Sequence, residues 1–209
     1  MTGRSEHCEL VVMNWEENYV VGDTPWDLGE PAPPLLELLA TRPAGIWGEG
    51  GVLVPGCGRG HDAAALQKSG CRVIGLDVAL SALAGAEGLY GNRVSWLAGD
   101  FFDETLAERN RVDAIFEHTF FCAISPERRA DYVEASLRWL KPEGRLVGIF
   151  FLDPLRGSDE EEGPPYGSEK EEIRDLFSAG FEIMREIFPG RSCSEREGRE
   201  WVVEMIRTP

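Results

Sequence analysis

Residues 51–62 read GVLVPGCGRGHD: an apolar run from Gly51 to Pro55 breaks into three alternate glycines, Gly56, Gly58 and Gly60, and then into a helical pattern. A short apolar run bounded by glycines reads as a strand covered on both faces. Glycines at its end accept positive φ and remove the Cβ atoms that keep a ligand away from the backbone. From residue 34 onward the chain repeats this alternation of strand and helix, the pattern of a parallel sheet with helices on both faces. Strands are expected at Gly51–Pro55, Cys71–Leu76, Val94–Leu97, Val112–Phe116 and Arg145–Leu152, the last being the most apolar and expected near the centre. Segments 181–188 and 200–207 read as a closing β-hairpin. Helices are expected at Leu35–Leu39, His61–Lys68 and Leu80–Leu89, then from a Ser125 N-cap through Pro126 to about Leu140, where Lys141-Pro142-Glu143-Gly144 ends it. A last helix opens on a capping box at Ser168–Glu171 and runs to about Ser178. The expected class is therefore α/β, doubly wound, with a mostly parallel seven-stranded sheet and a C-terminal antiparallel hairpin.

The segment before residue 34 is different. It carries Trp15, Tyr19 and Trp26 and ends in TPWDLGEPAPP, whose prolines and glycine forbid a continuous helix. Residues 1–33 are expected to form an aromatic cap within the same domain as residues 34–209. A polar loop is expected at 153–167, its acidic run Asp159–Glu162 being a solvated face.

The length of 209 residues suits one domain, and 43% hydrophobic with 28% charged residues is ordinary globular composition. The formal charge of −16 opposes any grip on phosphate backbones or anionic membranes. No apolar signal core opens the chain and no run is long enough for a membrane span, so a cytoplasmic protein is expected. The cysteines, Cys8, Cys57, Cys71, Cys122 and Cys193, are odd in number and lack metal-ligand spacing. They read as reduced thiols, with no metal site.

In a doubly wound sheet, ligands bind beyond the carboxyl ends of the strands, near the point where strand order reverses. The first end is the glycine turn. The second is Gly75-Leu76-Asp77, which places a carboxylate 21 residues after Gly56, where a neighbouring strand tip can accept both hydroxyls of a ribose. The third, Gly99-Asp100-Phe101-Phe102, offers another acceptor and an aromatic face for an adenine. A structural reading stands beside each: the glycines as a tight turn, Asp77 as a helix N-cap, Asp100 as a turn residue. A dinucleotide fingerprint, G-x-G-x-x-G, would put its third glycine where His61 stands; here Gly60 comes one residue early. That spacing suits a nucleoside ligand without a pyrophosphate, of which S-adenosylmethionine is one. A nicotinamide-dependent oxidoreductase fits the fold but not the spacing, and a non-catalytic nucleoside-binding regulator is a further alternative.

The segments LVPGCGRGHD (53–62), GLD (75–77), EHTFFCAISPERR (117–129), LKPEGRL (140–146), GPPY (163–166) and TPWDLG (24–29) resemble the thiopurine S-methyltransferase superfamily, within it the thiol and halide methyltransferases. The resemblance implies a Rossmann-like class I methyltransferase moving a methyl group from S-adenosylmethionine to a small-molecule acceptor: a thiol or hydrosulfide, a halide or a thiopurine-like thiol. S-adenosylhomocysteine is the implied product, and the protein would be a monomer or homodimer. It also implies that Trp15, Tyr19 and Trp26 close over the pocket, where relatives commonly have three tryptophans. The cofactor would further meet Gly56, Gly58, Gly60, Asp77 and Val78, then Asp100 and Phe101 at the adenine and Glu117 at its amino group. Trp26, His118, Phe121 and Tyr166 would face the acceptor. His118 stands where relatives often carry a tyrosine.

The residue chemistry agrees with this. A sulfonium cation is attracted to aromatic faces by ~0.5–2 kcal/mol per contact. In-line displacement needs mostly positioning, worth up to ~7–11 kcal/mol. A halide needs no deprotonation, whereas a thiol of pKa ~8.5 must lose its proton, and His118 beside Glu117 is the candidate base. Alternatively, His118 lines the pocket passively and the tryptophans fill core space. Cys122, between Phe121 and Ala123, reads as a packed small hydrophobe. Gly163-Pro164-Pro165-Tyr166 is out of place for the proline-proline-tyrosine motif of amino-methylating DNA enzymes, which follows the fourth strand.

Overall fold

The computed structural model describes residues 13–41, 46–152 and 163–209. The polar N-terminal stretch, Cys8 and the acidic run Asp159–Glu162 lie outside the described residues. A single seven-stranded sheet runs in the order β3-β2-β1-β4-β5-β7-β6, formed by β1 (Val52–Pro55), β2 (Val73–Asp77), β3 (Ser95–Ala98), β4 (Val112–His118), β5 (Leu140–Phe151), β6 (Phe181–Ile187) and β7 (Glu200–Arg207). The first five strands pair in parallel, while β7 is antiparallel to both β5 and β6. Because successive strand residues face opposite sides, two cores form. Leu53, Ile115, Leu146 and Val203 face one; Val52, Val54, Ala114, Phe116, Val147 and Val202 face the other.

The helices are α1 (Trp15–Val21), α2 (Pro33–Thr41), α3 (His61–Lys68), α4 (Leu80–Tyr90), α5 (Glu104–Arg109), α6 (Arg129–Trp139) and α7 (Lys170–Phe177). Two of these, α1 and α5, escape the periodicity reading because each spans fewer than two turns. Their caps explain them: the side chains of Asn14 and Asp103 accept from the amides of Glu17 and Leu106. Gly22, at φ +78, ends α1 before the proline-rich stretch.

Three boundaries are corrected. Ser125 makes no side-chain cap; Pro126–Arg128 form a 3-10 turn and the α-helix starts at Arg129. The capping box is Glu169 with Glu172, one residue later than expected, because Glu172 reaches the Glu169 amide. Strand β5 begins at Leu140, not Arg145: Val112 pairs with Leu140 and Ala114 with Arg145, so residues 141–144 bulge out, with Glu143 at φ +61. Among the described residues no helix is long and apolar enough to cross a membrane.

The chain steps outward from β1 to β2 and β3, then returns to β4 beside β1. The reversal lies between β1 and β4, so a ligand crevice belongs at the carboxyl ends of these two strands. The glycine turn and the residues after His118 border it.

Candidate functional site

The glycine turn is built as its sequence requires. Gly56, Gly58 and Gly60 sit at φ +57, +52 and +77. A Cβ at Gly56 would lie 2.5 Å from the Phe120 ring, and one at Gly58 would lie 2.5 Å from the Tyr19 hydroxyl. The turn is clamped from below by Asp77, whose Oδ2 accepts the Gly58 amide at 2.8 Å and whose Oδ1 accepts the Ala79 amide at 2.9 Å. Burial raises the Asp77 pKa, opposed by these amide bonds. Asp77 performs the local turn role at the β2 tip, and any further hydrogen bond there must use the remaining lone pairs of its two engaged oxygens.

The cap brings its three rings together on this turn. Trp15 and Trp26 meet edge to face with centroids 5.2 Å apart, Tyr19 and Trp26 at 6.0 Å, and the Trp26 indole donates to the Tyr19 hydroxyl at 3.1 Å. All three are half-buried, so none is a pure core residue. Burial pushes the Tyr19 pKa up to about 12, with Asp77 and Asp27 adding to it, so the hydroxyl keeps its proton. The cap is held by carboxylates that sequence reasoning missed. Glu16 accepts from the Ser81 hydroxyl at 2.6 Å and amide at 3.1 Å. Asp27 lies 3.3 Å from Arg59 Nε and 3.0 Å from His61 Nε2. Asp62 Oδ1 accepts the Ala32 amide at 2.7 Å. Asp27 and Asp62 lay inside quoted motifs, but nothing in one sequence paired them. A shallow, open depression beside the cap is lined by Met13, Asn14, Trp15, Glu16 and Val78. Val78 is half exposed there.

At the end of β4, His118 is held from both ring nitrogens. Its Nδ1 lies 2.7 Å from Asp62 Oδ2 and its Nε2 2.9 Å from Arg196 Nη1. Arg196 comes from a stretch in which the sequence showed no signal. The next residue, Thr119, is β-branched yet sits at φ +63, a strained conformation of the kind found at functional sites.

Three expected contacts are corrected. Glu117 is 1% exposed and both its oxygens are committed, Oε1 to the amides of Phe120 and Phe121 and Oε2 to the Tyr132 hydroxyl. It builds the turn after β4 and presents no free oxygen to an amino group. Phe101 is buried, stacked parallel to Trp139 at 6.2 Å, so its ring offers no face to a base; half-buried Phe102 follows it, with Arg128 4.0 Å over its ring. Phe121 is buried among Tyr132, Phe150 and Phe177, and does not face an acceptor. These rings went to the core because the turn after each strand directs alternate side chains inward. Asp100 is exposed at the β3 tip and caps its own turn, accepting the Phe102 amide at 3.0 Å. Tyr166 is half-buried, and its amide donates to the Cys122 carbonyl at 2.7 Å, which brings the GPPY segment beside the β4 turn. Cys122 is buried, its thiol pKa pushed up to about 12 by burial, and its Sγ lies 3.3 Å from the Thr119 carbonyl, as a packed small side chain.

A strand order that reverses between β1 and β4, a positive-φ glycine turn at the β1 tip, a carboxylate at the β2 tip and a cluster of aromatic rings over that turn are the features of a class I, S-adenosylmethionine-dependent methyltransferase. The comparisons agree. The family model described as thiopurine S-methyltransferase matches residues 12–208. A probable thiol methyltransferase 2 of Arabidopsis thaliana is 35% identical over 195 residues, covering 89% of this chain and 81% of its own. Thiocyanate methyltransferase 1 of Brassica oleracea is 33% identical over 192 residues, again covering 89% and 81%. A solved structure concerned with conversion of a disulfide bond into a thioacetal group in echinomycin biosynthesis superposes with a TM-score of 0.70 at 25% identity, covering 88% of this chain and 85% of that one. The chain belongs to the thiopurine S-methyltransferase family. The oxidoreductase and regulator alternatives receive no support from these matches.

α1 buries none of its residues fully, and Trp26 is only half-buried. Trp26→Ala is expected to lower kcat/KM for methyl transfer tenfold or more while shifting Tm by only a few degrees. A large Tm loss with normal residual kinetics would return Trp26 to a packing role.

Proposed function

We propose that this enzyme methylates a small polarizable nucleophile, a thiol or hydrosulfide first and a halide or thiocyanate second. The reading rests on the aromatic cluster at the glycine turn, where the Tyr19 hydroxyl meets Gly58 and accepts from the Trp26 indole. It draws further support from relatives named for thiol and thiocyanate methylation. Bound S-adenosylmethionine supplies an electrophilic methyl group on a sulfonium. The backbone of Gly56–Gly60 cradles its amino-acid end, Asp77 takes its ribose hydroxyls, and Val78 with Asp100 flanks its base. Trp15, Tyr19 and Trp26 shield the sulfonium from water and stabilise its charge. His118, Trp26 and Tyr166 border the acceptor. In this reading the described part of the N-terminal segment, residues 13–33, is a cap on the domain that follows, and the protein acts in the cytoplasm, where the unbridged Cys57, Cys71, Cys122 and Cys193 stay reduced.

The test is a headspace assay of the purified protein with S-adenosylmethionine and, separately, hydrosulfide, methanethiol, an aromatic thiol, thiocyanate, iodide and bromide. Methylated product from hydrosulfide or a thiol is expected, with iodide ahead of bromide. Cofactor binding by calorimetry without product from any of them would reject the small-nucleophile reading.

A further inference from the structure

We infer that Asp62 is a positioning residue that ties the seating of the cap to the protonation geometry of His118; the inference rests on the acceptor reading above. One carboxylate serves both. Oδ1 accepts the Ala32 amide at the end of the cap, and Oδ2 meets His118 Nδ1, both at 2.7 Å. The other face of the imidazole fixes the tautomer. A guanidinium has only donors, so Arg196 Nη1 must donate to His118 Nε2, and the ring proton sits on Nδ1, donated to Asp62. The sequence places Asp62 in the first turn of α3, immediately after the glycine turn, so the group that aims His118 belongs to the same rigid unit as the cofactor cradle.

The charged groups around the imidazole are few and opposed. Asp62 approaches from α3, and Arg196 approaches from the turn at 194–196 with Glu200 of β7 3.9 Å behind it. Glu117 lies on the same strand, directed into its own turn. The His118 side chain is 8% exposed, so these charges act with little solvent screening. With Nδ1 committed to Asp62, the Nε2 lone pair is the basic site, held by Arg196 until an acceptor takes the guanidinium's place. The S–H bond of a thiol then breaks, its proton passes to Nε2, and the bonding pair stays on sulfur as a thiolate. Asp62 stabilises the resulting imidazolium, and Arg196, displaced from the nitrogen, faces the new anion. Iodide and thiocyanate carry no proton and bypass this step.

The experiment compares the full-length wild type with Asp62→Asn and Asp62→Glu, reading the ratio of kcat/KM for methanethiol to that for iodide between pH 6.5 and 9.5, together with ¹⁵N shifts of the His118 imidazole. Asp62→Asn is expected to lower the thiol-to-iodide ratio about tenfold or more at neutral pH, less than the ~10²–10⁴-fold of a deleted general base because His118 itself remains. The loss should shrink as pH passes the thiol pKa of ~8.5. Asp62→Glu should restore much of the ratio. The nitrogen spectrum should show an Nδ1-protonated tautomer in the wild type and a mixture in Asp62→Asn. Equal losses on thiol and iodide would mean Asp62 acts only through the cap and overturn the inference. So would an Nε2-protonated wild type, which is readable even if no acceptor turns over and the function proposed above fails.

Discussion

Asp77→Ala is expected to weaken S-adenosylmethionine binding at least a hundredfold by calorimetry. Two losses add. The ribose loses its carboxylate acceptor, and hydrogen bonds to a charged group are worth ~1.5–3 kcal/mol each. The glycine turn loses the clamp on the Gly58 amide, so the backbone proposed to cradle the cofactor is no longer held at φ +52. A loss of ~3–5 kcal/mol corresponds to two to four decades in Kd. Asp77→Asn keeps one acceptor oxygen and should fall between. Burial raises the pKa of Asp77, and donors from a ribose favour its ionised form, so wild-type affinity should also decline as pH falls through that raised value. Unchanged affinity in Asp77→Ala would reject the ribose assignment outright.

What was legible in the sequence follows from which features are local. The strand–glycine–helix unit at 51–62 carries its own chemistry: apolar residues for burial, glycines for positive φ, and a helix that begins where the glycines end. The strand β2 and its terminal Asp77 were readable for the same reason. The cap's three rings could be listed but not placed, because their meeting depends on Glu16 reaching Ser81, 65 residues away in sequence. Arg196 was invisible: its partner His118 is 78 residues distant, and neither residue's neighbours encode the pairing. The errors at Phe101 and Phe121 share a cause. An aromatic residue beside a strand-tip acid looks available to a ligand, yet at each tip the backbone turns one ring inward and leaves the adjacent one, Phe102 or Phe120, nearer the surface. Which of two consecutive rings is buried is a one-residue register question that composition does not answer.

Glu117→Leu is expected to be the most destabilising single change, removing ~3–6 kcal/mol from the unfolding free energy. It would strand the amides of Phe120 and Phe121 and the Tyr132 hydroxyl in a dry interior, at ~1–3 kcal/mol for each unpaired group. Glu117→Gln separates charge from hydrogen bonding, since an amide oxygen can still accept both backbone N–H groups. Burial raises the Glu117 pKa above 4.5, while bonds from Phe121 and Tyr132 pull it back only in part. The folded state therefore holds the proton more tightly than the unfolded chain. Its contribution to stability is fully present below pH 4.5 and is lost as pH rises through the raised folded value. Glu117→Gln lacks that loss, so its stability relative to wild type should climb with pH across this window in urea titrations. A difference that stays flat would show that the carboxylate pays no penalty for burial. Three donors converge on the carboxyl group, and the turn they build sets Phe120 against Gly56. The β4 turn and the glycine turn are thus in direct contact, and on the proposed cofactor assignment Glu117→Gln should lose cofactor affinity only to the extent that this turn moves.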